Sequence, residues 1–393
     1  MVQTAKRIDQ VEEYYFSRKL AEVRSLDRPE RRIINLGIGS PDLAPSEDTI
    51  GALVRSASDP ANHGYQNYKG IPALRQAISS FYHTTYQVTL DPETQILPLM
   101  GSKEGIMHIS MAFVDEGDEV LIPDPGYPTY ASVSNLVGAT ISTYQLKEEN
   151  GWAIDLDALR NRDLSKVKIM WVNFPHMPTG KTATRAELTD LVALARTNGF
   201  LLVNDNPYSL ILNDSPTSIL SVDGAAEVTL ELNSLSKSHN MAGWRIGWVA
   251  GRKEYIDAVL RVKSNMDSGM FLGLQHAAVE ALRSGPEWFA AQDKIYKERR
   301  ELAAAILDLL GCTRSGQQSG LFLWARAPRS VDQIETWLDR ILYEAGVFIT
   351  PGFIFGAAGR SHVRISLCAT AEKLREALDR ISKWKNETTD LPQ

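Results

Sequence analysis

Lys168-Ile169-Met170-Trp171-Val172-Asn173, then a helical pattern over residues 185–197, then Phe200-Leu201-Leu202-Val203-Asn204: the reading of this stretch decides the fold. Its two apolar runs carry no alternation, so both faces must be buried, as in strands of a mainly parallel sheet. Thr184 followed by Glu187 predicts a capping box at the start of the intervening helix. The same rhythm extends outward. Glu119–Pro123, Glu227–Glu231 and Gly247–Ala250 read as further strands, and residues 103–114, 127–137 and 254–263 as helices. Strand–helix alternation of this kind predicts an α/β, doubly wound domain, whose ligands sit beyond the carboxyl ends of the strands.

Towards the C-terminus the pattern changes. Long helices over 286–310 and 331–345 flank short strands at Leu321–Trp324 and His362–Ile365, which predicts a smaller α+β unit. A chain of 393 residues is longer than one core usually holds. The expected division is a large domain over 46–274 and a small one built from 1–45 and 275–393. Tyr14, Tyr15 and Phe16 read as part of an amphipathic packing helix, with a cover over the site as the alternative.

Composition narrows the function classes. The net charge is -6 without a basic run, which argues against nucleic acid or an anionic membrane as partner. The N-terminal segment is polar and carries Asp9, Glu12 and Glu13, and no apolar stretch spans a bilayer, so the expected location is cytoplasmic. Cys312 and Cys368 provide neither a disulfide framework nor a metal-ligand spacing, and no metal is expected.

Chemistry is written most clearly in Ser234-Leu235-Ser236-Lys237 and the following Arg245. A lysine amine forms a Schiff base with a carbonyl cofactor, and pyridoxal phosphate is the usual one. The two serine hydroxyls and the arginine suit its phosphate. Asp205-Asn206-Pro207-Tyr208 follows a strand: a carboxylate there can pair with a pyridine nitrogen, and Tyr208 can hydrogen-bond a phenolic oxygen. The same four residues also favour a turn, and the two readings are compatible. Gly101-Ser102-Lys103-Glu104-Gly105 opens a helix, where free N–H groups meet an anion; taken alone it reads first as a plain cap using Ser102. Pro123-Asp124-Pro125-Gly126-Tyr127-Pro128 is a stiff turn presenting an aromatic face at Tyr127. Arg364 lies inside an apolar strand pattern, where its planar fork suits either a substrate carboxylate or a structural salt bridge.

In this order along the chain, the segments resemble the class I/II pyridoxal-phosphate-dependent aminotransferases of fold type I, the aspartate aminotransferase superfamily. The resemblance runs from Ile34 to Leu367. Lys263–Phe271 and the Gly101–Gly105 loop look most like the bacterial branch that includes LL-diaminopimelate aminotransferase. The resemblance implies transfer of an amino group between an L-amino acid and a 2-oxo acid by a ping-pong mechanism, with glutamate as a reasonable donor. It implies Lys237 as the Schiff-base lysine, Asp205 at the pyridine nitrogen and Tyr208 at the phenolic oxygen. Tyr127 would stack on the ring, and Ser102, Lys103, Ser234, Ser236 and Arg245 would serve the phosphate. Gly39, in Asn35-Leu36-Gly37-Ile38-Gly39-Ser40-Pro41-Asp42, and Arg364 would meet the substrate carboxylate. Tyr65 would reach the phosphate in the neighbouring subunit, which implies a homodimer with shared sites. A lyase or decarboxylase on the same fold is the alternative, since the cofactor grip is common to both.

One segment departs from the family pattern. Asn173-Phe174-Pro175-His176-Met177-Pro178-Thr179-Gly180 is similar to the Asn-Pro-Thr-Gly motif, but Met177 stands where the motif has its asparagine. A thioether cannot donate a hydrogen bond, so Tyr208 becomes the main donor to the phenolic oxygen, unless His176 or a water substitutes. Losing a donor to the phenolate disfavours the deprotonated imine. The imine of Met177→Asn is therefore expected to titrate at lower pH than that of the wild type, as checked by following the visible spectrum against pH.

Overall fold

The computed structural model describes residues 2–9, 11 and 15–389. Tyr14, Glu12 and Glu13 of the sequence reading lie outside the described residues. Twelve strands are described: β1 (Ile34–Asn35), β2 (Ile96–Leu99), β3 (Glu119–Asp124), β4 (Thr140–Gln145), β5 (Val167–Asn173), β6 (Leu201–Asp205), β7 (Thr229–Ser234), β8 (Gly247–Gly251), β9 (Phe322–Arg326), β10 (Val347–Phe348), β11 (Thr350–Pro351) and β12 (His362–Ser366).

Seven of them form one sheet in the order β2-β8-β7-β6-β5-β3-β4. The run from β4 through β7 is parallel, and β8 is antiparallel to both its neighbours. Both faces are covered, as the unbroken apolar runs required. Along β5, Ile169 and Trp171 enter one hydrophobic cluster, whereas Met170 and Val172 enter the other. Strand periodicity of two sends successive residues to opposite faces, and here each face meets helices. Burying each such side chain contributes about 1.5–3 kcal/mol.

The predicted helices form at Ser102–Phe113, Pro128–Leu136, Arg185–Asn198, Lys253–Lys263 and Pro286–Leu309. The Thr184 box is present: Thr184 Oγ1 accepts from the Glu187 N–H at 3.2 Å, and Glu187 Oε2 accepts from the Thr184 N–H at 2.6 Å. The helix expected over 331–345 is α-helical only at Ile334–Arg340, then widens into a π turn at Ile341–Ala345. The strand expected at Glu227–Glu231 starts at Thr229 instead, because Ala225–Glu227 forms a 3-10 turn whose Ala225 carbonyl accepts from Thr229 Oγ1 at 2.7 Å.

Two strands of this sheet were not legible beforehand, and both are its edges; the two-residue strands β1, β10 and β11 outside it were not predicted either. β4 is mostly exposed and polar, and β2 contains Pro98, which an edge strand tolerates because one side needs no ladder bonds.

Beyond the large sheet, β11, β12 and β9 form an antiparallel sheet and β1 pairs in parallel with β10. The helix Tyr15–Leu26 packs on the same C-terminal region: Tyr15 donates to Glu335 at 2.7 Å and Lys19 to Asp339 at 2.6 Å. Among the described residues, no helix is long and apolar enough to cross a membrane.

Candidate active site

The register of the large sheet aligns the ends that matter. Asn173 pairs with Asp205, Asp205 with Leu232, Ser234 with Gly247, and Gly247 with Leu99. One edge of the sheet therefore collects Asn173, Asp205, Ser234 and the loop after β2, at the carboxyl ends of the parallel strands, where such sheets bind ligands. A cavity of about 450 Å³ opens there.

Its wall brings together Gly39, Ser102, Lys103, Tyr127, Asp205, Tyr208, Ser234, Ser236, Lys237, Arg245 and Arg364. Of the residues given a cofactor or substrate role from the sequence, Tyr65 is not in it; that residue is 93% exposed. His176, the possible substitute donor, is not in the wall either. Its Nδ1 lies 2.8 Å from Thr179 Oγ1, and burial holds its imidazole down to about 3.

Asp205 ends β6 and is buried. Tyr130 Oη donates to its Oδ2 at 2.9 Å, while Oδ1 has no hydrogen-bond partner among the described residues. Burial pushes the carboxyl up to about 6, against the opposing pull of Tyr130 and Lys237. An orphaned carboxylate oxygen facing a cavity calls for a cationic or N–H partner.

Lys237 lies in the short helix that follows β7, and its Nζ donates to the Gly39 carbonyl at 2.6 Å. Burial, with the Arg364 and Arg245 charges, holds the amine below the usual lysine range. That favours the neutral, nucleophilic form.

An anion cradle lies at the start of Ser102–Phe113. Gly101 has φ of 90°, and a Cβ there would overlap the Arg245 guanidinium. A Cβ on Gly247 would sit 2.7 Å from the Ser102 backbone nitrogen. Arg245 itself is held at φ of 57°, a costly conformation for a long side chain, by a loop in which its Nη1 donates to the Ala242 carbonyl at 2.9 Å. Nη1 also lies 3.4 Å from Ser236 Oγ, and the Ser236 N–H donates to Ser234 Oγ at 3.0 Å. Two hydroxyls, a guanidinium and a helix N-terminus thus converge, the donor set a phosphate requires.

Arg364 on β12 is buried. Its Nη2 donates to the Gly37 carbonyl at 2.8 Å and its Nη1 contacts Met177 Sδ at 3.3 Å. The Phe322 ring centroid lies 4.0 Å from the guanidinium carbon and that of Phe355 4.6 Å. Tyr208 stands edge-on to Phe322, and burial raises its phenol, so it keeps its proton as a donor.

Sequence reasoning missed Tyr130, Asn173, Phe322 and Phe355, all of which line the cavity, and Phe16 lines it too, as in the cover that the sequence offered as an alternative. Tyr130 follows Tyr127 by one helical turn, a spacing that signals a shared face; Phe322 and Phe355 carry no local signal. Elsewhere, the ligand atoms of Glu104, His108 and Asp267 lie within 4.8 Å of one another, but Lys263 Nζ donates to Asp267 at 2.6 Å and supplies that group with its positive charge.

The orphaned Asp205 Oδ1, the depressed Lys237 amine and the phosphate cradle fit pyridoxal phosphate. Known proteins agree. The family model described as aminotransferase class I and II matches residues 31–381. An LL-diaminopimelate aminotransferase of Oleidesulfovibrio alaskensis is 41% identical over 89% of this chain and 91% of its own length. One from Dehalococcoides mccartyi is 37% identical over 98% and 99%. Among solved structures, substrate-bound BacF from Bacillus subtilis superposes with a TM-score of 0.91 at 35% identity, covering 98% of both chains. A mutant aspartate aminotransferase of Thermus thermophilus gives 0.90 at 27%, covering 98% of this chain and all of that one. With the family matched over nearly its whole length and the cavity built to suit the cofactor, this chain belongs to the class I and II aminotransferases and is an enzyme that depends on pyridoxal phosphate.

Proposed function

We propose that this enzyme moves an amino group from an L-amino acid to an oxo acid in two half-reactions, with Lys237 as both covalent anchor and proton carrier. The observation that carries this reading is the presence, in one cavity, of the orphaned Asp205 Oδ1, the depressed Lys237 amine and the buried Arg364. Pyridoxal phosphate, when bound, supplies the carbonyl that accepts the amino group and an electron sink for breaking the Cα–H bond. Its ring nitrogen would be held by Asp205, its phenolic oxygen by Tyr208, its ring face by Tyr127 and its phosphate by Ser102, Lys103, Ser234, Ser236 and Arg245.

Arg364 holds the substrate α-carboxylate by exchanging the weak Met177 sulfur contact for a charged acceptor, while Nη2 stays on the Gly37 carbonyl. Gly39 leaves room beside it: a Cβ there would overlap the Phe322 ring. The Lys237 amine takes the α-proton at Nζ and returns it, and burial, which holds it below the usual lysine range, raises its share of neutral base. The wall of tyrosines and phenylalanines excludes water and strengthens these charged contacts.

Tyr65 is assigned to the site of a partner subunit, which makes the enzyme a homodimer with shared sites. Its 93% exposure supports this, as does the packing of Gly269 against the Gln66 backbone, which sets Tyr65 beside the segment carrying the exposed Met266. A cytoplasmic location and the absence of nucleic-acid or membrane partners are part of the same reading. They are supported by the net charge of -6 and two free, buried cysteines.

The test is the visible spectrum of the holoenzyme during additions of single amino acids without any oxo acid. At least one amino acid should convert the cofactor band to that of the pyridoxamine form, and a later oxo acid should restore it. A band that no amino acid alters would sink the reading.

A further inference from the structure

We propose that Arg299 is a positioning residue: by clamping Asp42 it sets the spacing between the reacting amine of Lys237 and the guanidinium of Arg364. This rests on the aminotransferase reading, which gives those two groups their tasks. It adds to the reaction a pair that lies outside the cavity wall.

Both cations lean on one stretch of backbone. Lys237 Nζ donates to the Gly39 carbonyl at 2.6 Å, and Arg364 Nη2 donates to the Gly37 carbonyl at 2.8 Å. The two acceptors are two residues apart, so a shift or tilt of this backbone moves the reacting end and the carboxylate end together. Yet residues 36–46 form neither helix nor strand. A segment without a ladder takes its position from side chains.

The long helix Pro286–Leu309 supplies two such holds. Arg299 Nη1 donates to Asp42 Oδ1 at 2.6 Å and Nη2 to Asp42 Oδ2 at 2.9 Å, a fork that fixes direction as well as distance. Two turns earlier on the helix, Gln292 Oε1 accepts from Asn240 Nδ2 at 3.0 Å. The same amide donates to the Ala44 carbonyl at 3.1 Å, and Asn240 stands three residues after Lys237.

Arg299 also reaches the strand that carries Arg364. Its Nη1 donates at 3.1 Å to the carbonyl of Leu367, three residues beyond Arg364. One guanidinium thus ties the loop under both supports to the end of β12. Arg299 is itself buried, with its guanidinium carbon 5.6 Å from the ring centroid of the buried Tyr296, one turn back on the helix. A lysine offers a point charge and no planar fork, so it cannot fix the tilt of the Asp42 carboxylate. Reacting groups need placement to within about 0.5 Å, and an error of about 1 Å can cost 10²-fold in rate.

The experiment compares the wild-type holoenzyme with Arg299→Lys and Asp42→Asn, each checked for folding by its melting curve. Cofactor loading, read from the visible band, should be unchanged, since Asp205, Ser234 and Arg245 keep their contacts. The amino donor is whichever of L-glutamate, L-leucine, L-lysine and L-phenylalanine the wild type converts best. For Arg299→Lys its KM should rise about tenfold and its kcat fall about tenfold, together the cost of a misplaced group. Calorimetry should show propionate, a carboxylate without an amine, binding about tenfold more weakly. Arg162→Lys is the control. That guanidinium likewise joins a carboxylate to a backbone carbonyl, Glu119 and Thr143, each at 2.9 Å, but both lie outside the cavity wall. It should leave KM and propionate affinity unchanged.

A folded Arg299→Lys with wild-type KM and propionate affinity would overturn the proposal. So would a fall in kcat alone, or an equal effect in the control, because a pair that only stabilises the fold changes the active fraction and not the affinity. Should Arg299→Lys fail to fold, Asp42→Asn decides. It keeps the shape and one oxygen, and it too should raise KM and weaken propionate; unchanged values would overturn the proposal. Should the wild type transfer no amino group while propionate still weakens in the variants, the clamp stands and the amino-transfer reading falls.

Discussion

Lys237→Ala is expected to lower multiple-turnover amino transfer by about 10⁴-fold, the upper range for removing a positioned general base that is also the covalent anchor. The loss should appear in kcat far more than in KM, because Arg364 and the aromatic wall that bind the substrate are untouched. A small soluble amine such as methylamine should recover part of the rate, since it can enter the space the side chain vacates. The coupled steady-state assay checks this directly, and full retained activity would remove Lys237 from its assigned role. The same substitution should stabilise the cofactor-free protein near neutral pH. Burial holds the folded amine below the usual lysine range, so between the two values the unfolded chain binds the extra proton. Stability contributed by this group therefore rises with pH through that window, and at neutral pH the buried cation is a cost that alanine removes.

Asp205→Asn is expected to reduce activity by about 10²- to 10³-fold, because the amide keeps the shape but loses the charge that a cationic ring nitrogen needs. Stability should move the other way in the cofactor-free protein. The carboxyl titrates near 6 in the fold against 3.8 as a free side chain, burial being the chief cause. A group whose folded pKa is raised contributes fully below the unfolded value and loses that contribution as pH rises through the folded one. The substitution should thus be close to neutral at pH about 4 and stabilising by roughly 3 kcal/mol above pH 7, as melting curves at the two pH values would show. Added pyridoxal phosphate should reverse the order at the higher pH, because it gives the wild-type carboxylate its partner. An Asp205→Asn protein with wild-type turnover would refute the pairing.

Position 177 shows how far a local departure reaches. Read in sequence, Met177 is the loss of one donor near a phenolic oxygen. In the fold, its sulfur contacts Arg364 and its backbone N–H is held by Asn173 Oδ1 at 2.7 Å, so the same residue also shapes the substrate end. Both effects can be measured separately on Met177→Asn, the first by titrating the visible spectrum and the second by the affinity of the holoenzyme for a simple carboxylate.

The sequence by itself determined the central strands and the order along the chain of the groups that meet in the cavity, Lys237 among them. It could do so because those signals are local. A strand buried on both faces needs an unbroken apolar run, as in β5 and β6. A phosphate-binding turn needs glycine wherever a Cβ would strike its neighbour, as at Gly101. The edge strands β2 and β4 were not legible, since an edge is under no obligation to be apolar or free of proline. Only the tertiary structure decided that Tyr130 would hold Asp205, and that Phe16, Phe322 and Phe355 would close around Arg364. Those contacts join separate elements, Phe16 and Arg364 lying near opposite ends of the chain, and packing between separate elements leaves no periodicity from which they can be read.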